Sequence, residues 1–250
     1  MVFLTMALWE LCTPRRPLHQ SKIMRWLSNL SLTVIDTAVV QFTIGALAVT
    51  TAVYVTEHRW GLLHLLILPT WAKGMIGFLI LDFGIYLQHI FFHRIPLFWR
   101  LHQVHHTDLD FDVTTGIRFH PLEIILSLLY KGMIILAIGV DPVTVVIFEI
   151  VLNAAALFNH SNIYLPLWID KPLRWFLVTP DVHRVHHSTI PLEFNTNFGF
   201  SITWWDRLFG TFMDQPASPH TEMEIGLKEF RNQKELHLFG LLKLPFLRHN

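Results

Sequence analysis

The sequence predicts an all-α membrane protein: about four transmembrane or hairpin helices carrying a cytosolic, histidine-rich helical cap. Three observations predict it. Of 250 residues, 52% are hydrophobic and only 15% charged, with a mean hydropathy of +0.41, which is too apolar for an ordinary soluble domain. The apolar residues gather into runs of membrane-spanning length. The histidines, 16 in all, concentrate at the ends of those runs, twice as HxxHH in "LHQVHH" and "DVHRVHH".

Taken in chain order, the first dozen residues are apolar but lack a positive n-region and a small-residue cleavage site. Arg15, Arg16, Lys22 and Arg25 follow them, so no cleaved signal peptide is expected. Residues 31–56 carry one charge, Asp36, and are long enough for a hydrocarbon core that needs about 20 apolar residues. Residues 62–93 are broken by Pro69 and Lys73, which predicts a short interfacial piece and then a span from about 74 to 93. Two more apolar runs, 121–140 and 142–160, are separated by Gly139, Asp141 and Pro142, a turn signal. Lys131 sits inside the first of them, where a charge is costly unless it finds a partner or snorkels; a hairpin that stops short of the far side is one way to avoid that cost. The tail from about 222 to 250 is mixed and reads as a segment docked on the protein or lying on the membrane surface.

No repeat, low-complexity run or Gly/Ser linker marks a second unit, so a single membrane domain over 1–250 is expected. Lys plus Arg equals Asp plus Glu, at 19 each, and no basic face argues for nucleic acid. Cys12 is the single cysteine; neither a disulfide nor a thiolate metal site is available. Basic residues flank one side of the runs: four precede the first, Arg94, Arg100 and Arg118 follow the second, and Lys171, Arg174 and Arg184 follow the fourth. The positive-inside rule puts that side, with both termini, in the cytoplasm.

The histidines fall on the same side. His89 and His93 close the second run, His102, His105 and His106 follow it, His120 opens the third run, His160 ends the fourth, and His183, His186 and His187 lie beyond. Positions three or four apart share one face of an α-helix, so HxxxH and HxxHH each aim several imidazoles the same way. Asp181, after Pro180, suits the first turn of a helix carrying the second box. Isolated histidines (His19, His58, His64, His220, His237, His249) read as interfacial or hydrogen-bonded side chains. A single zinc takes three or four protein ligands and would leave at least five of nine boxed histidines unused, whereas two metals use nearly all; imidazole suits zinc, copper, iron and nickel alike.

Through "DFGIYLQHIFFH", "LHQVHHTD", "RFHP", "NHSN", "TPDVHRVHHS", "NTNFGF" and "WWDRLFGTF", over roughly residues 75–213, the chain resembles the fatty acid hydroxylase superfamily, also called the sterol desaturase family. The resemblance implies an oxidoreductase: two non-haem irons, bound by imidazoles, activate O2 to oxidise an unactivated C–H bond on a lipid. Carried over position by position, His89, His93, His102, His105, His106, His160, His183, His186 and His187 match the family's ligand pattern. Some relatives have a second histidine where this chain has Ala156, which cannot ligate; His120 is the expected tenth ligand. Asp82, Asp108, Asp110 and Asp181 are candidate acceptors behind the imidazoles. Tyr86 reads as packing, Trp204, Trp205 and Arg207 as interfacial anchors or packing beneath the cap, and Asn195, Asn197 and Gly199 as turn formers.

With no GxGxxG fingerprint or haem-binding extension in the sequence, electrons are expected from a separate donor, a ferredoxin or a b-type cytochrome with its reductase. The lipid substrate enters from the bilayer. Hydroxylation is favoured over desaturation on family habit alone, and a compact chain without a retrieval signal points to a bacterial cytoplasmic membrane. Two alternatives belong to other classes. A metal transporter would place ionisable residues mid-span, and a di-zinc hydrolase would bring carboxylate ligands or a general base.

Overall fold

A computed structural model describes residues 1–247 of the chain; the expectation for His249 and the last residues of the tail lie outside them. The described residues form thirteen α-helices and three single 3₁₀ turns, with isolated backbone bridges and no strand. In order the helices are α1 (Val2–Cys12), α2 (Lys22–Thr43), α3 (Leu47–Glu57), α4 (Leu62–Leu65), α5 (Thr70–Arg94), α6 (Pro96–His106), α7 (Pro121–Ile138) and α8 (Pro142–Asn159). Five short ones follow: α9 (Leu167–Leu173), α10 (Pro180–His186), α11 (Pro191–Phe194), α12 (Trp204–Phe209) and α13 (Leu238–Lys243).

Four stretches are long and apolar enough to cross a membrane: Lys22–Leu65, Thr70–Arg94, Pro121–Ile138 and Pro142–Asn159. The expected all-α membrane fold is therefore present. At 1.5 Å per residue, α7 and α8 are each about 27 Å long, close to the ~30 Å of a hydrocarbon core, so neither is a half-helix. Lys131 is accommodated instead by an ion pair with Glu149 on α8. The first span is not one straight helix. It breaks at residues 44–46, where Gly45 takes a φ of +46°, and α3 then follows α7, with Leu47 and Thr51 against Gly132.

Local signals set the boundaries. Ser21 caps α2 by accepting from the Met24 N–H, and Asp141 caps α8 by accepting from the Thr144 N–H, each satisfying an amide that the helix leaves free. Proline stands in the first turn of α6, α7, α8 and α10, where its missing N–H costs nothing. An apolar core of Leu81, Ile85, Ile135, Val145 and Phe148, with Ala52 and Val55 from α3, joins the spans.

The cap is held differently, by buried polar contacts. On α2, Arg25 clamps Asp108 (2.6 Å) and Asp112 (2.5 Å), and Asn29 accepts from Arg118 at 2.7 Å. These contacts fix the loop from Thr107 to Arg118, which joins α6 to α7. The tail docks on the same end, its Leu241 and Leu244 packed with Leu32, Val104 and Leu109.

Candidate metal centre

Nine boxed histidines lie together, and they sort into two adjoining groups. His89, His93, His102, His106 and His186 form one; His105, His160, His183 and His187 form the other, and within each group one nitrogen per ring lies within 4.8 Å of the others. The helices explain the sorting. On α6, His102 and His106 are one turn apart and point to the first group, while His105, rotated about 100° from its neighbour, points to the second. The second box is arranged in the opposite sense: His183 and His187 serve the second group and His186 the first. Each HxxHH thus supplies both groups, which explains why the motif occurs twice. The groups abut, since the rings of His106 and His187 stack with centroids 4.5 Å apart.

Four of the nine rings are held through Nδ1. His89 donates to the Phe198 carbonyl (2.8 Å), His160 to the Ala156 carbonyl (2.8 Å), His186 to the Thr196 carbonyl (2.7 Å), and His102 to the Glu123 carboxylate (2.7 Å). This fixes the tautomer and leaves Nε2 with its lone pair, the usual arrangement behind a metal-binding imidazole. The Nε2 atoms of His89, His102, His106 and His186 are buried and without a partner. Such unpaired buried nitrogens cost free energy unless something binds them. In the second group, His160 Nε2 lies 3.1 Å from His105 Nε2 and 3.0 Å from His183 Nε2. That separation is about the one expected of two imidazoles bound side by side on one ion at ~2.1 Å each.

Aromatic rings pack around the site. Phe119 stacks flat on His105 at 4.6 Å, Phe111 stacks on His160 at 5.6 Å, and Phe198 meets His93 edge-on at 5.1 Å. Burial pushes His102 and His160 down to about 3 and holds His105, His106, His183, His186 and His187 well below the ordinary imidazole value. The rings are therefore neutral at pH 7, as metal ligation requires. An all-nitrogen, water-poor donor set of this kind fits a pair of transition-metal ions.

The structure does not bring His120 to either group. It caps α7, its Nδ1 accepting from the Leu122 N–H at 3.2 Å while Nε2–H donates to the Leu242 carbonyl at 3.3 Å, so both ring nitrogens are committed. Nor do the four expected aspartates stand behind the imidazoles. Asp82 accepts from Trp205 Nε1 (2.7 Å), Asp108 is held by Arg25, Asp110 accepts from the His19 and Gln20 amides, and Asp181 pairs with Arg15 and Arg184. Their acidity is used to hold the cap. Tyr86 packs on Phe83 and Phe209, as expected.

The acceptor roles fall to three backbone carbonyls and to Glu123, and "NTNFGF" turns out to present two of those carbonyls. Asn197, at a φ of +52°, donates to the Val182 and Met213 carbonyls and accepts from the Met213 N–H. That clamp holds the carbonyls of Thr196 and Phe198 against His186 and His89. Asp206, in "WWDRLFGTF", accepts from the Phe198 and Gly199 amides at 2.8 and 2.7 Å. A Cβ on Gly199 would stand 2.6 Å from Asp206 Oδ2, so only glycine fits. A Cβ on Gly116 would likewise stand 2.6 Å from the Ala156 carbonyl that orients His160.

A cavity of about 400 Å³ reaches the first group from the level of the spans, touching His89 and His102 at one end and Lys131 and Glu149 at the other. Eight residues of α7 separate Glu123 from Lys131, about 12 Å along the helix axis. Thr37, Gln41 and Asn153, all exposed, lie on its rim.

A family model described as fatty acid hydroxylase matches residues 74–211. Alkylglycerol monooxygenase of Xenopus tropicalis is 31% identical over 170 residues, covering 63% of this chain and 35% of the relative. Ornithine lipid hydroxylase OlsE of Rhizobium tropici is 30% identical over 157 residues, 63% of this chain and 46% of its own length. Cholesterol 25-hydroxylase of Rattus norvegicus is 28% identical over 148 residues, 58% and 48%. The chain thus spans less than half the length of these relatives. No solved structure matches it significantly.

Proposed function

The chain belongs to the fatty acid hydroxylase family, and on that premise we propose that it is an O2-dependent lipid hydroxylase with a di-iron centre. One observation carries the reading: nine imidazoles, eight buried and that of His93 half-buried, form two abutting groups with unpartnered nitrogens, and His89 and His102 of the first group line a cavity that begins among the membrane-spanning helices. His89, His93, His102, His106 and His186 would hold one ion, and His105, His160, His183 and His187 the other. Iron bound there supplies activation of dioxygen and oxidation of a C–H bond.

The chain's own residues do the rest. The carbonyls of Phe198, Ala156 and Thr196 and the carboxylate of Glu123 hold the rings in one tautomer. Phe111, Phe119 and Phe198 keep water from the ligands. The cavity walls between α5, α7 and α8 hold an alkyl chain against His89 and His102, and its placement there decides which carbon reacts. Entry past Thr37 and Asn153 draws the lipid from the bilayer. Hydroxylation is preferred to desaturation because the similar proteins named above are hydroxylases and monooxygenases. Electrons come from a separate donor, a ferredoxin or a b-type cytochrome with its reductase, reaching the cap from the cytoplasm, where the distribution of basic residues puts both termini.

The two alternatives have less support. A transport path would place its ligands mid-span, whereas the nine histidines lie at span ends and in the cap; a di-zinc hydrolase would need a carboxylate at the metals, and Glu123 stands behind His102 instead. The test is to purify the protein in detergent, measure iron and zinc per chain, and supply membrane lipid extract, a reducing system and ¹⁸O-labelled dioxygen. Label in a lipid hydroxyl is the expected result; turnover without oxygen would refute the proposal.

A further inference from the structure

A cavity built only to hold a hydrocarbon chain would be lined with Leu, Ile and Phe alone, because polar groups at the level of the spans are costly. This one has such a wall, with Ile85, Ile124, Leu128 and Leu152, but adds charged and polar side chains to it. Lys131 and Glu149 pair with each other, and Gln88 with Ser127 at 3.0 Å, so these four satisfy one another. Of the charged side chains on its wall, Asp36 and Glu123 are left over.

Asp36, on α2, is only 7% exposed and lines the cavity. Its Oδ1 is fully buried with no hydrogen-bond partner, and no ion pair holds it among the described residues. Glu123, which lines the same cavity, spends Oε1 on His102, while its Oε2 is likewise buried and has no partner. Both carboxyl groups line that one cavity. The cavity as a whole holds three carboxyl groups, Asp36, Glu123 and Glu149, against one ammonium, Lys131.

Two unsatisfied acidic side chains on one cavity need a donor, and no described residue supplies one. We propose that Asp36, together with the free oxygen of Glu123, forms a polar subsite that binds a hydrogen-bond donor on the lipid, a hydroxyl or a protonated amine. The subsite disfavours ionised carboxylates and phosphates, which offer acceptors and no donor. The inference rests on the reading of this cavity as the substrate channel and narrows the substrate class to lipids with a donor group. A hydroxyl and an amine share the donor chemistry and are separated by the test.

The full-length protein in phosphatidylcholine nanodiscs is titrated with hexadecanol, hexadecylamine and hexadecanoate, binding being read as displacement of a fluorescent fatty alcohol. Wild-type protein is expected to bind at least one of the two donor-headed chains about tenfold tighter than the carboxylate, the worth of one charge-assisted hydrogen bond. Whichever of the alcohol and the amine binds tighter identifies the donor. Asp36→Leu should bring all three chains within about threefold of one another, with iron per chain as in wild type. Should that variant fail to fold, Asp36→Asn, nearly isosteric, should weaken the amine relative to the alcohol by about tenfold through loss of the charge. A wild-type preference for the carboxylate, or an unchanged order of binding in the variant that folds, would overturn the proposal. Failure of labelled oxygen to enter any lipid, with the binding order intact, would count against the hydroxylase reading and leave the subsite standing; the reverse pattern would do the opposite.

Discussion

His102 Nδ1 donates to Glu123 Oε1 at 2.7 Å with both side chains buried, making Glu123 the carboxylate that orients a ring of the first group. Its removal should loosen that group. Glu123→Ala is expected to weaken metal binding about 10- to 100-fold, while Glu123→Gln, whose carbonyl still accepts the Nδ1–H, should weaken it less. Metal retained after dialysis against a graded chelator measures both.

His183 and His186 are three residues apart on α10 yet serve different groups. His183→Ala and His186→Ala should therefore each lower iron from about two to about one per chain, the remaining ion being bound by the other group. A double variant should hold about none. Elemental analysis of the three proteins checks this, and loss of both ions in either single variant would show that the groups are not separable.

His120→Ala should leave metal content unchanged, because both ring nitrogens of His120 are committed elsewhere. Its cost is that of a lost helix cap, about 1 kcal/mol, to be read as a lowered unfolding midpoint at full iron occupancy.

Gly199→Ala forces a Cβ to 2.6 Å from Asp206 Oδ2 and so displaces the Phe198 carbonyl that orients His89. A destabilisation of about 1–3 kcal/mol is expected, with weaker metal binding.

Acid should unfold the metal-free protein steeply. His102 and His160 are lowered to about 3 and His183, His186 and His187 lie well below 6.5, so the unfolded chain takes up protons that the folded chain refuses. Stability is complete above about pH 6.5 and falls from there towards pH 3, by about 1.4 kcal/mol per pH unit for each proton. Bound metal competes with those protons and should move the fall to lower pH. Denaturant midpoints between pH 7 and 5, with and without metal, measure both effects.

The spans, the boxes and the family were legible because each rests on a local signal: apolar run length for α5, α7 and α8, and three- or four-residue spacing for the histidines. What was not legible depends on contacts between distant segments. Glu123 lies 21 residues from His102 and reads as an ordinary first-turn acid. Asp82, one helical turn or two before His89, has the spacing of an acceptor, but Trp205 claims it from 123 residues away. His120 follows the family's order of motifs, yet the Leu242 carbonyl of the tail takes its second nitrogen. The division of each HxxHH between two groups follows from helical rotation, but only the assembled helices show which ring faces which partner.

The central claim is that nine histidines hold two ions side by side. Iron X-ray absorption on the purified protein, combined with iron per chain, tests it most directly. About two irons per chain, each in a nitrogen-rich shell, is the predicted result; a single ion per chain, or a shell dominated by oxygen, would contradict it.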